Sequence, residues 1–302
     1  MKFIVKSIGF YLPFLQKYTK RLISLTELYE LNYLFKSENK ILYPISNKSK
    51  IYLEKNNYLS DLILKDFEFE ERYLMALLLD VKGHFLDIGA NIGLYSILAA
   101  EIIKDGNIYS FEPAKDIAHK LKTNIQVNKI KNVQIIQAAV CDKNNQTIPI
   151  YINNNGYDAF NSIVQPISDT FRTEYTDTVS LDFFIKDKNI DIRDIQFVKI
   201  DTEGAEYSIL KGAANILEHG KHIIYMIEFN TDYQIENTNS NNVYNITKLY
   251  QYTCFKYYND KKSLINVELN EQTYPNNFFL IHQTQIGNIK YKLSKYKIKL
   301  IS

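Results

Sequence analysis

Short apolar runs alternate with amphipathic stretches over most of the chain from residue 83 onward. The runs with the length and content of buried strands are HFLDIG, NIYSFEP, NVQIIQAAV, QFVKID and HIIYMIEF. Between them, the apolar spacing of helices occurs in GLYSILAAEIIKDG, AKDIAHKLKTNIQVNK and AEYSILKGAANILEHG. This alternation predicts an α/β fold built on a mostly parallel, doubly wound sheet.

Three parts of the chain depart from this pattern. Residues 1–80 show helical spacing and predict an N-terminal helical appendage, followed by a main domain over residues 81–285. Residues 143–178 are rich in Asn, Thr and Asp and predict a hairpin with loops, an insertion of the kind that often binds substrates. Residues 286–302 predict a basic C-terminal tail.

The first strand of the main domain ends in the segment DIGANIG, which suggests a ligand site. In a doubly wound sheet ligands bind outside the carboxyl ends of the strands, where glycines allow the backbone to turn tightly and to approach a ligand. The spacing of Gly89 and Gly93 does not fit the dinucleotide pattern G-x-G-x-x-G. A phosphate-binding P-loop is also excluded because no lysine follows Gly93.

Carboxylates at the ends of the first two strands indicate a different class of ligand. Asp87 lies at the end of the first strand, and Glu112 closes the second in YSFEP. A nucleoside with an amino-acid tail needs such groups, because a carboxylate can bind an ammonium group or accept hydrogen bonds from the two ribose hydroxyls. We therefore predict S-adenosylmethionine as the cofactor.

A second dense group of acids, KIDTEGAE, stands where a buried strand meets a helix. Asp201 ends the strand, Glu203 lies in the following turn, and we assign Glu206 to the start of the helix, where acids are favoured. A carboxylate at the end of a central strand is costly to bury without a partner. We predict that Asp201 or Glu203 removes a proton from the methyl acceptor or orients it, and that Glu228 and Asn230 hold acceptor hydroxyls.

The loop NNNGYDAFNSIVQP adds side chains suited to a sugar, with Tyr157 as a stacking face and Ser162 as a hydrogen-bonding group. The simpler interpretation is a solvated loop. The five histidines show no metal-ligand spacing, and only His282, which closes the last strand, is a candidate base. Asp201, Glu203 and Glu228 are oxygen ligands suited to magnesium, but we do not expect a metal.

Several of these segments together resemble one known family. FLDIGANIGLYS, FEPAKD, QAAVCD and FVKIDTEGAEYSILKGA are similar, in this order, to the motifs of the FkbM family of S-adenosylmethionine-dependent methyltransferases. The segments VSLDFFI and IIYMIEFN also fit, so that the resemblance covers roughly residues 80–285. It implies a class I methyltransferase fold, Rossmann-like, with a seven-stranded sheet whose last strand is antiparallel. It also implies O-methylation, often of a sugar.

The resemblance assigns cofactor roles to individual residues. The cofactor loop of the family matches Asp87, Gly89, Asn91 and Gly93, with Asp87 helping to bind the amino group directly or through water. Glu112 matches the acid that binds the ribose, and Asp142 matches an acid near the adenine amino group. A simple turn residue is an equally good interpretation of Asp142.

Composition narrows the function further. The chain has 302 residues and a formal charge of +2, which argues against a nucleic-acid partner. Two cysteines favour a reducing, cytoplasmic location, and no apolar run is long enough to span a bilayer. The C-terminal IKYKLSKYKIKLIS has five lysines and no acid, which suggests peripheral contact with an anionic membrane, the alternative being a solvated basic face.

The sequence thus predicts an O-methyltransferase whose acceptor is a saccharide or a glycan precursor. Two alternatives remain open. One is a nucleotide-sugar oxidoreductase on a Rossmann sheet, against which the missing third glycine argues. The other is a non-catalytic binding module that keeps the same fold.

Overall fold

A computed structural model describes residue 35 and residues 38–153, 161–164, 171–229, 240–268 and 276–302. Tyr157 and Asn230, two of the predicted acceptor-binding residues, lie outside the described residues. Their assignments therefore stay predictions.

The described chain begins with a hairpin and two helices. These elements are β1 (Lys40–Pro44), β2 (Lys50–Glu54), α1 (Tyr58–Leu64) and α2 (Phe69–Leu78). The main α/β part then follows with β3 (His84–Ile88), α3 (Leu94–Ile102), β4 (Ile108–Phe111), α4 (Lys115–Val127), β5 (Val133–Ile136), β6 (Ala139–Val140), β7 (Thr147–Asn153), β8 (Phe171–Val179), α5 (Leu181–Asp187), β9 (Ile195–Ile200), α6 (Glu206–Lys211), α7 (Ala214–His219) and β10 (Ile224–Phe229). The last elements are α8 (Ser240–Leu249), β11 (Tyr252–Tyr258), β12 (Ser263–Asn266), β13 (Asn276–His282), α9 (Ile286–Ser294) and β14 (Lys299–Ile301).

The central sheet has the strand order β14-β12-β11-β13-β10-β9-β3-β4-β5. Strands β5, β4, β3, β9 and β10 are parallel, and β13 is antiparallel to both of its neighbours, β10 and β11. The predicted doubly wound sheet with an antiparallel strand is therefore present. The predicted count of seven strands is not confirmed, because β12 and β14 extend the sheet to nine.

Both faces of this sheet are covered, as the apolar character of its strands requires. Side chains alternate along each strand, so that Phe85 and Phe197 pack with α2, α3 and α9 on one face. Leu86 and Val198 pack on the opposite face with α5, α6 and α7. The β3 and β9 strands consequently lie in the middle of the core, and their carboxyl ends meet at one edge.

The N-terminal appendage is not wholly helical, which corrects the sequence prediction. Residues 40–54 form an antiparallel hairpin that lies against α4. The Asn124 side chain accepts a hydrogen bond from the Tyr52 N–H at 2.9 Å. The Asn128 amide bonds both the N–H (2.8 Å) and the carbonyl (2.6 Å) of Lys50. These two side chains bond backbone groups of β2 that a neighbouring strand would otherwise bond. They fix the hairpin to α4 of the main domain.

The C-terminal segment is likewise not a separate tail. Its helix α9 buries Ile289 and Leu293, and β14 pairs with β12 at the edge of the sheet. The Lys292 ammonium donates to the Leu78 carbonyl and to Asp80 Oδ1, each at 2.8 Å, and so ties α9 to the end of α2. Among the helices of the described residues, none combines the length and the apolarity needed to cross a bilayer.

Candidate functional site

A cavity of about 290 Å³ opens at the carboxyl ends of β3, β4, β9 and β10. This is the position at which a doubly wound sheet binds its ligands. The structure brings seven of the predicted site residues into its wall: Gly89, Asn91, Glu112, Ser162, Asp201, Glu203 and Glu228. They come from four strand ends and one loop that are far apart in sequence.

The two glycines of the loop after β3 serve different purposes. Gly89 has φ +77°, and a Cβ atom there would lie 1.7 Å from the carbonyl oxygen of Asp201. Only glycine lets the turns after β3 and β9 come this close. Gly93 has φ +94°, but a Cβ there would meet a methyl group of Leu121 on α4 at 2.4 Å. Gly93 does not line the cavity, and its positive φ together with the nearby Leu121 accounts for the glycine without a ligand.

Glu112 is held rigidly at the cavity wall. Its Oε2 accepts a hydrogen bond from the Asn91 N–H at 3.0 Å, and its Oε1 accepts one from the Ala114 N–H at 2.9 Å. The residue is only 5% exposed. A carboxylate has about four lone-pair sites and can accept more than two hydrogen bonds in all. The arrangement fits a pair of ligand hydroxyl groups.

Asp87 lies beneath the loop rather than in the cavity wall. It is fully buried, and its Oδ2 accepts a hydrogen bond from the Ser96 hydroxyl at 2.5 Å. Its Oδ1 has no hydrogen-bond partner among the described residues. Burial raises the pKa of this carboxyl. Of the two routes predicted for Asp87, only an indirect contact with a ligand is compatible with this position.

Asp142 is held away from the cavity by α6. It accepts a hydrogen bond from the Ser208 hydroxyl at 2.7 Å and pairs with the Lys211 ammonium at 2.7 Å, and the hydrogen bond from Lys211 lowers its pKa. The preceding residues 138–140 do line the cavity, but Asp142 does not. The predicted contact with adenine is not supported by this geometry.

The carboxylates at the ends of β9 and β10 form a charged cluster. Lys199, which is 2% exposed, places its ammonium 2.6 Å from Asp201 Oδ2. One oxygen from each of Asp201, Glu203 and Glu228 lies within 4.8 Å of the others. The cluster therefore combines three acids with one buried cation.

The pKa values of the Asp201 and Glu228 carboxyl groups are shifted in opposite directions. Burial pushes the pKa of Asp201 upward, but Lys199 and a hydrogen bond from Glu228 outweigh it and leave this pKa below its usual range. The negative charge of Asp201, together with burial, raises the pKa of Glu228 well above its usual range. The opposite directions of these two shifts favour the negative charge on Asp201 and the proton on Glu228.

The loop at residues 161–164 closes one side of the cavity. The Ser162 hydroxyl donates to the Glu203 carbonyl at 2.7 Å and accepts from the Val164 N–H at 3.0 Å. Ser162 thus serves mainly to anchor the loop, although it was predicted to bind the acceptor. The neighbouring Asn161 accepts from the Asn153 N–H at 3.0 Å, while its buried Nδ2 has no partner among the described residues. Asn161 therefore offers a free donor at the cavity wall.

Other residues near the cavity were not predicted from the sequence. Glu68, at the start of α2, accepts hydrogen bonds from the Tyr95 hydroxyl at 2.7 Å and from the Asn277 amide. The Lys199 ammonium lies 4.6 Å from the centre of the Tyr95 ring. Glu68 resembles any acid in the first turn of a helix, and only the folded chain brings it to Tyr95.

Two further predictions can be judged from their positions. Glu206 accepts from the Thr202 N–H (3.3 Å), the Thr202 hydroxyl (3.1 Å) and the Gly204 N–H (3.1 Å), which confirms its structural role at the turn before α6. His282 as a base is wrong. Because β13 runs antiparallel, His282 pairs with Tyr252 at the start of β11, on the edge of the sheet opposite the cavity.

The acids of the cluster also suit a hard cation. Asp201, Glu203 and Glu228 each offer one oxygen, and carboxylates are the ligands that magnesium prefers. However, the Lys199 ammonium already pairs with Asp201, and Glu228 carries a proton that an ion would have to displace. Two of the three acids therefore already have a partner within the protein, Asp201 in Lys199 and Glu228 in Asp201.

The chain is similar to methyltransferases in sequence and in structure. The family model described as methyltransferase FkbM domain matches residues 87–254. No curated protein matches the sequence.

Three of the similar solved structures illustrate how low the sequence identity is. M. jannaschii TYW2 in complex with AdoMet is 14% identical, with 80% of this chain and 84% of that chain covered and a TM-score of 0.39. The precorrin-6y C5,15-methyltransferase of Geobacter metallireducens GS-15 is 15% identical, with 70% and 84% covered and a TM-score of 0.38. The O-methyltransferase of Bacillus cereus in complex with SAH is 11% identical, with 70% and 80% covered and a TM-score of 0.40.

Proposed function

Because this chain belongs to the FkbM methyltransferase family, we propose that it transfers a methyl group from S-adenosylmethionine to a hydroxyl oxygen of a saccharide or glycan precursor. One observation carries the proposal. A single cavity holds an anchored carboxylate, Glu112, and a proton-accepting pair, Asp201 and Glu228. The first suits the ribose of the cofactor, and the second suits an acceptor hydroxyl.

The wall of the cavity fits this cofactor in both its polar and its apolar parts. Backbone N–H groups hold Glu112 at the cavity wall, and a carboxylate in this place suits the ribose diol as a hydrogen-bond acceptor. Phe111, Ala139 and Val140 are buried apolar residues in the same wall and suit an adenine ring. S-adenosylmethionine supplies an electrophilic methyl group on a sulfonium, so the protein has only to bind, orient and deprotonate the acceptor.

The pair of carboxylates supplies the proton acceptor. The hydroxyl oxygen becomes strongly acidic as it bonds to the methyl carbon, so that even a carboxylate of low pKa can take its proton. Asp201 is ionised because Lys199 stabilises its charge, and it is the base in this proposal. Glu228, which bears a proton, orients Asp201. A base in position contributes roughly 10²–10⁴-fold to the rate.

Several hydrogen-bonding groups near this pair support a saccharide as the acceptor. Glu203 and Glu228 offer carboxyl oxygens, and Asn161 offers an amide donor, all from the wall of the same cavity. Acceptors and a donor placed around one space match the several hydroxyls of a sugar ring, each of which both donates and accepts.

Calorimetric titration with S-adenosylmethionine and, separately, with NAD tests the cofactor. We expect binding of S-adenosylmethionine alone, followed by methyl transfer from radiolabelled cofactor to at least one member of a panel of mono- and disaccharides. Binding of NAD instead would favour the oxidoreductase alternative. Binding of S-adenosylmethionine without transfer to any sugar would contradict the acceptor class and favour a binding module.

Removal of metal is expected to leave the transfer rate within about twofold of the untreated value. The reason is that Lys199, rather than a divalent ion, balances the charge of Asp201. The test compares the enzyme before and after exhaustive dialysis against EDTA. Activity that is lost on dialysis and restored by magnesium would instead show that Asp201, Glu203 and Glu228 hold an ion.

A further inference from the structure

Helix α2 begins in an unusual way. Glu68, its N-cap residue, has φ +48° and ψ +37°, a left-handed conformation that residues with a side chain seldom adopt. An N-cap side chain normally accepts hydrogen bonds from the first turn of its own helix, but Glu68 makes no such bond. Strained backbone of this kind persists where the surrounding structure fixes it, and it is concentrated at functional sites.

The Glu68 side chain turns instead toward the charged cluster of Lys199, Asp201, Glu203 and Glu228. It accepts hydrogen bonds from the Tyr95 hydroxyl and from the Asn277 amide, one on each oxygen. The Tyr95 ring lies 4.6 Å from the Lys199 ammonium, which in turn lies 2.6 Å from Asp201. One continuous series of contacts thus runs from Glu68 at the start of α2, through Tyr95 on α3 and Lys199 on β9, to Asp201 just after β9.

Each contact in this series depends on the one before it. A hydrogen bond to a carboxylate fixes the Tyr95 ring and polarises its hydroxyl, because neighbouring hydrogen bonds strengthen one another in a low-dielectric interior. A ring held in this way attracts the Lys199 cation on its face. Lys199 is then kept against Asp201, whose ionised state it stabilises.

Glu68 stands outside the part of the chain that the family model matches, residues 87–254. Its segment is nevertheless fixed firmly to the main domain. Asn124 and Asn128 hold the hairpin before it, and Lys292 holds the end of α2 after it. The segment can therefore place a side chain against the catalytic cluster with the precision that a positioning role requires.

We propose that Glu68 is a positioning residue for methyl transfer, which holds Tyr95 and, through it, keeps Lys199 against Asp201. The inference rests on the proposed function, since it assigns a role in the same reaction. Glu68 does not line the cavity, so it acts only through the residues that do. The charged or titratable groups that face it are Tyr95, Lys199, Asp201 and Glu228.

The titration of Glu68 offers a way to separate this role from a merely structural one. Burial raises the pKa of Glu68 from 4.5 to about 7, against the attraction of Lys199. A carboxyl whose pKa is higher in the folded state stabilises the protein below its unfolded pKa, and this contribution is lost as the pH rises through about 7. Ionised Glu68 is therefore kept in place at a cost in stability.

The test is Glu68→Gln in the full chain, with S-adenosylmethionine and the best sugar of the panel as substrates. We expect kcat to fall about tenfold while KM for S-adenosylmethionine stays within about twofold. Chemical denaturation at about pH 5 and about pH 8 should show the variant gaining stability relative to wild type as the pH rises. Glu70→Gln, on the same first turn of α2, is the matched control. It should change neither kcat nor the difference in stability between the two pH values.

Two results would overturn the proposal. One is a kcat within about twofold of wild type, and the other is a loss of stability that is equal at both pH values. Tyr95→Phe provides a second measurement because it keeps the ring and removes the hydroxyl. If Glu68 acts through Tyr95, the double variant loses no more activity than the worse single variant, whereas independent losses would multiply.

If wild type methylates no sugar, the proposed function fails, and Glu68 is then judged without an acceptor. The same double-mutant cycle is measured on unfolding free energies at about pH 8. Coupling between Glu68 and Tyr95, with the stability gain described for Glu68→Gln, supports the contact series. Additive effects on stability overturn it.

Discussion

Replacing Asp201 with asparagine is expected to lower the rate of methyl transfer by about 10²–10⁴-fold, the range that a positioned general base contributes. Asparagine keeps the shape of the side chain but cannot take the proton of the acceptor hydroxyl. Binding of S-adenosylmethionine should change little, because Glu112 and not Asp201 is proposed to bind the ribose. The measurement is kcat with a fixed sugar acceptor, together with calorimetric titration of the cofactor.

The matched comparison is Glu203→Gln, which neutralises the other acid that the sequence offered as a base. Glu203 is expected to matter less, because Lys199 forms an ion pair with Asp201 and Glu228 shares a proton with it. The opposite result, a large loss from Glu203→Gln and a small one from Asp201→Asn, would transfer the role of base to Glu203. Melting curves of both variants show whether the buried Lys199 tolerates the loss of its partner.

Replacing Glu112 with glutamine is expected to weaken the binding of S-adenosylmethionine by about 10²-fold. Hydrogen bonds to a charged group contribute about 1.5–3 kcal/mol, and loss of that contribution corresponds to a factor of roughly 10–150. Glutamine also turns an NH₂ group toward one of the two backbone N–H groups that now donate to the carboxylate. Calorimetric titration of wild type and variant measures the change directly.

Asp116→Asn is the control for this substitution. Asp116 lies in the first turn of α4, four residues after Glu112, but its side chain is 74% exposed. It should leave the affinity within about twofold, since surface substitutions of this kind are close to neutral. An unchanged affinity in Glu112→Gln would place the ribose elsewhere and would remove the main support for the cofactor assignment.

The sequence was informative about the main sheet because its strands are buried on both faces. Each strand is a short apolar run, and the polar residue that ends it is visible as a break in the pattern. Asp201 and Glu228 could therefore be placed at one edge before any coordinates, since parallel strands end on the same side. Glu112 could be placed at the same edge for the same reason, because it ends the apolar run of β4.

The hairpin at residues 40–54 was missed although a signal was present. In β2 the buried Ile51 and Leu53 alternate with Lys50, Tyr52 and Glu54, which is the period of a strand. The C-terminal lysines likewise concealed a strand and led to the prediction of a basic tail. Ile298 and Leu300 are buried and alternate with Lys297 and Lys299. In both segments the alternation over a few residues is the better guide to the structure.

Glu68 and Asp142 could not have been placed from the sequence. Glu68 meets Asn277, which is 209 residues away, and Asp142 meets Ser208 and Lys211, which are 66 and 69 residues away. Such partners are set by tertiary packing, and neither residue differs locally from an ordinary helix-start or turn acid. Gly93 was assigned to the cofactor through the resemblance, and only the folded chain shows its positive φ and the nearby Leu121 that a side chain there would meet.

The place of β13 in the sheet has a consequence for how the protein is made. This strand lies between β10 and β11, yet it is synthesised after both of them. On the ribosome β11 therefore leaves the exit tunnel before the strand that joins it to β10 exists. The paired strands β11 and β12 cannot join the rest of the sheet before residues 276–282 exist, and Lys292 can secure α2 only ten residues later. The nascent chain thus exposes the edge of β10 until residues 276–282 have been made, and an unpaired strand edge of this kind makes a chain prone to aggregate.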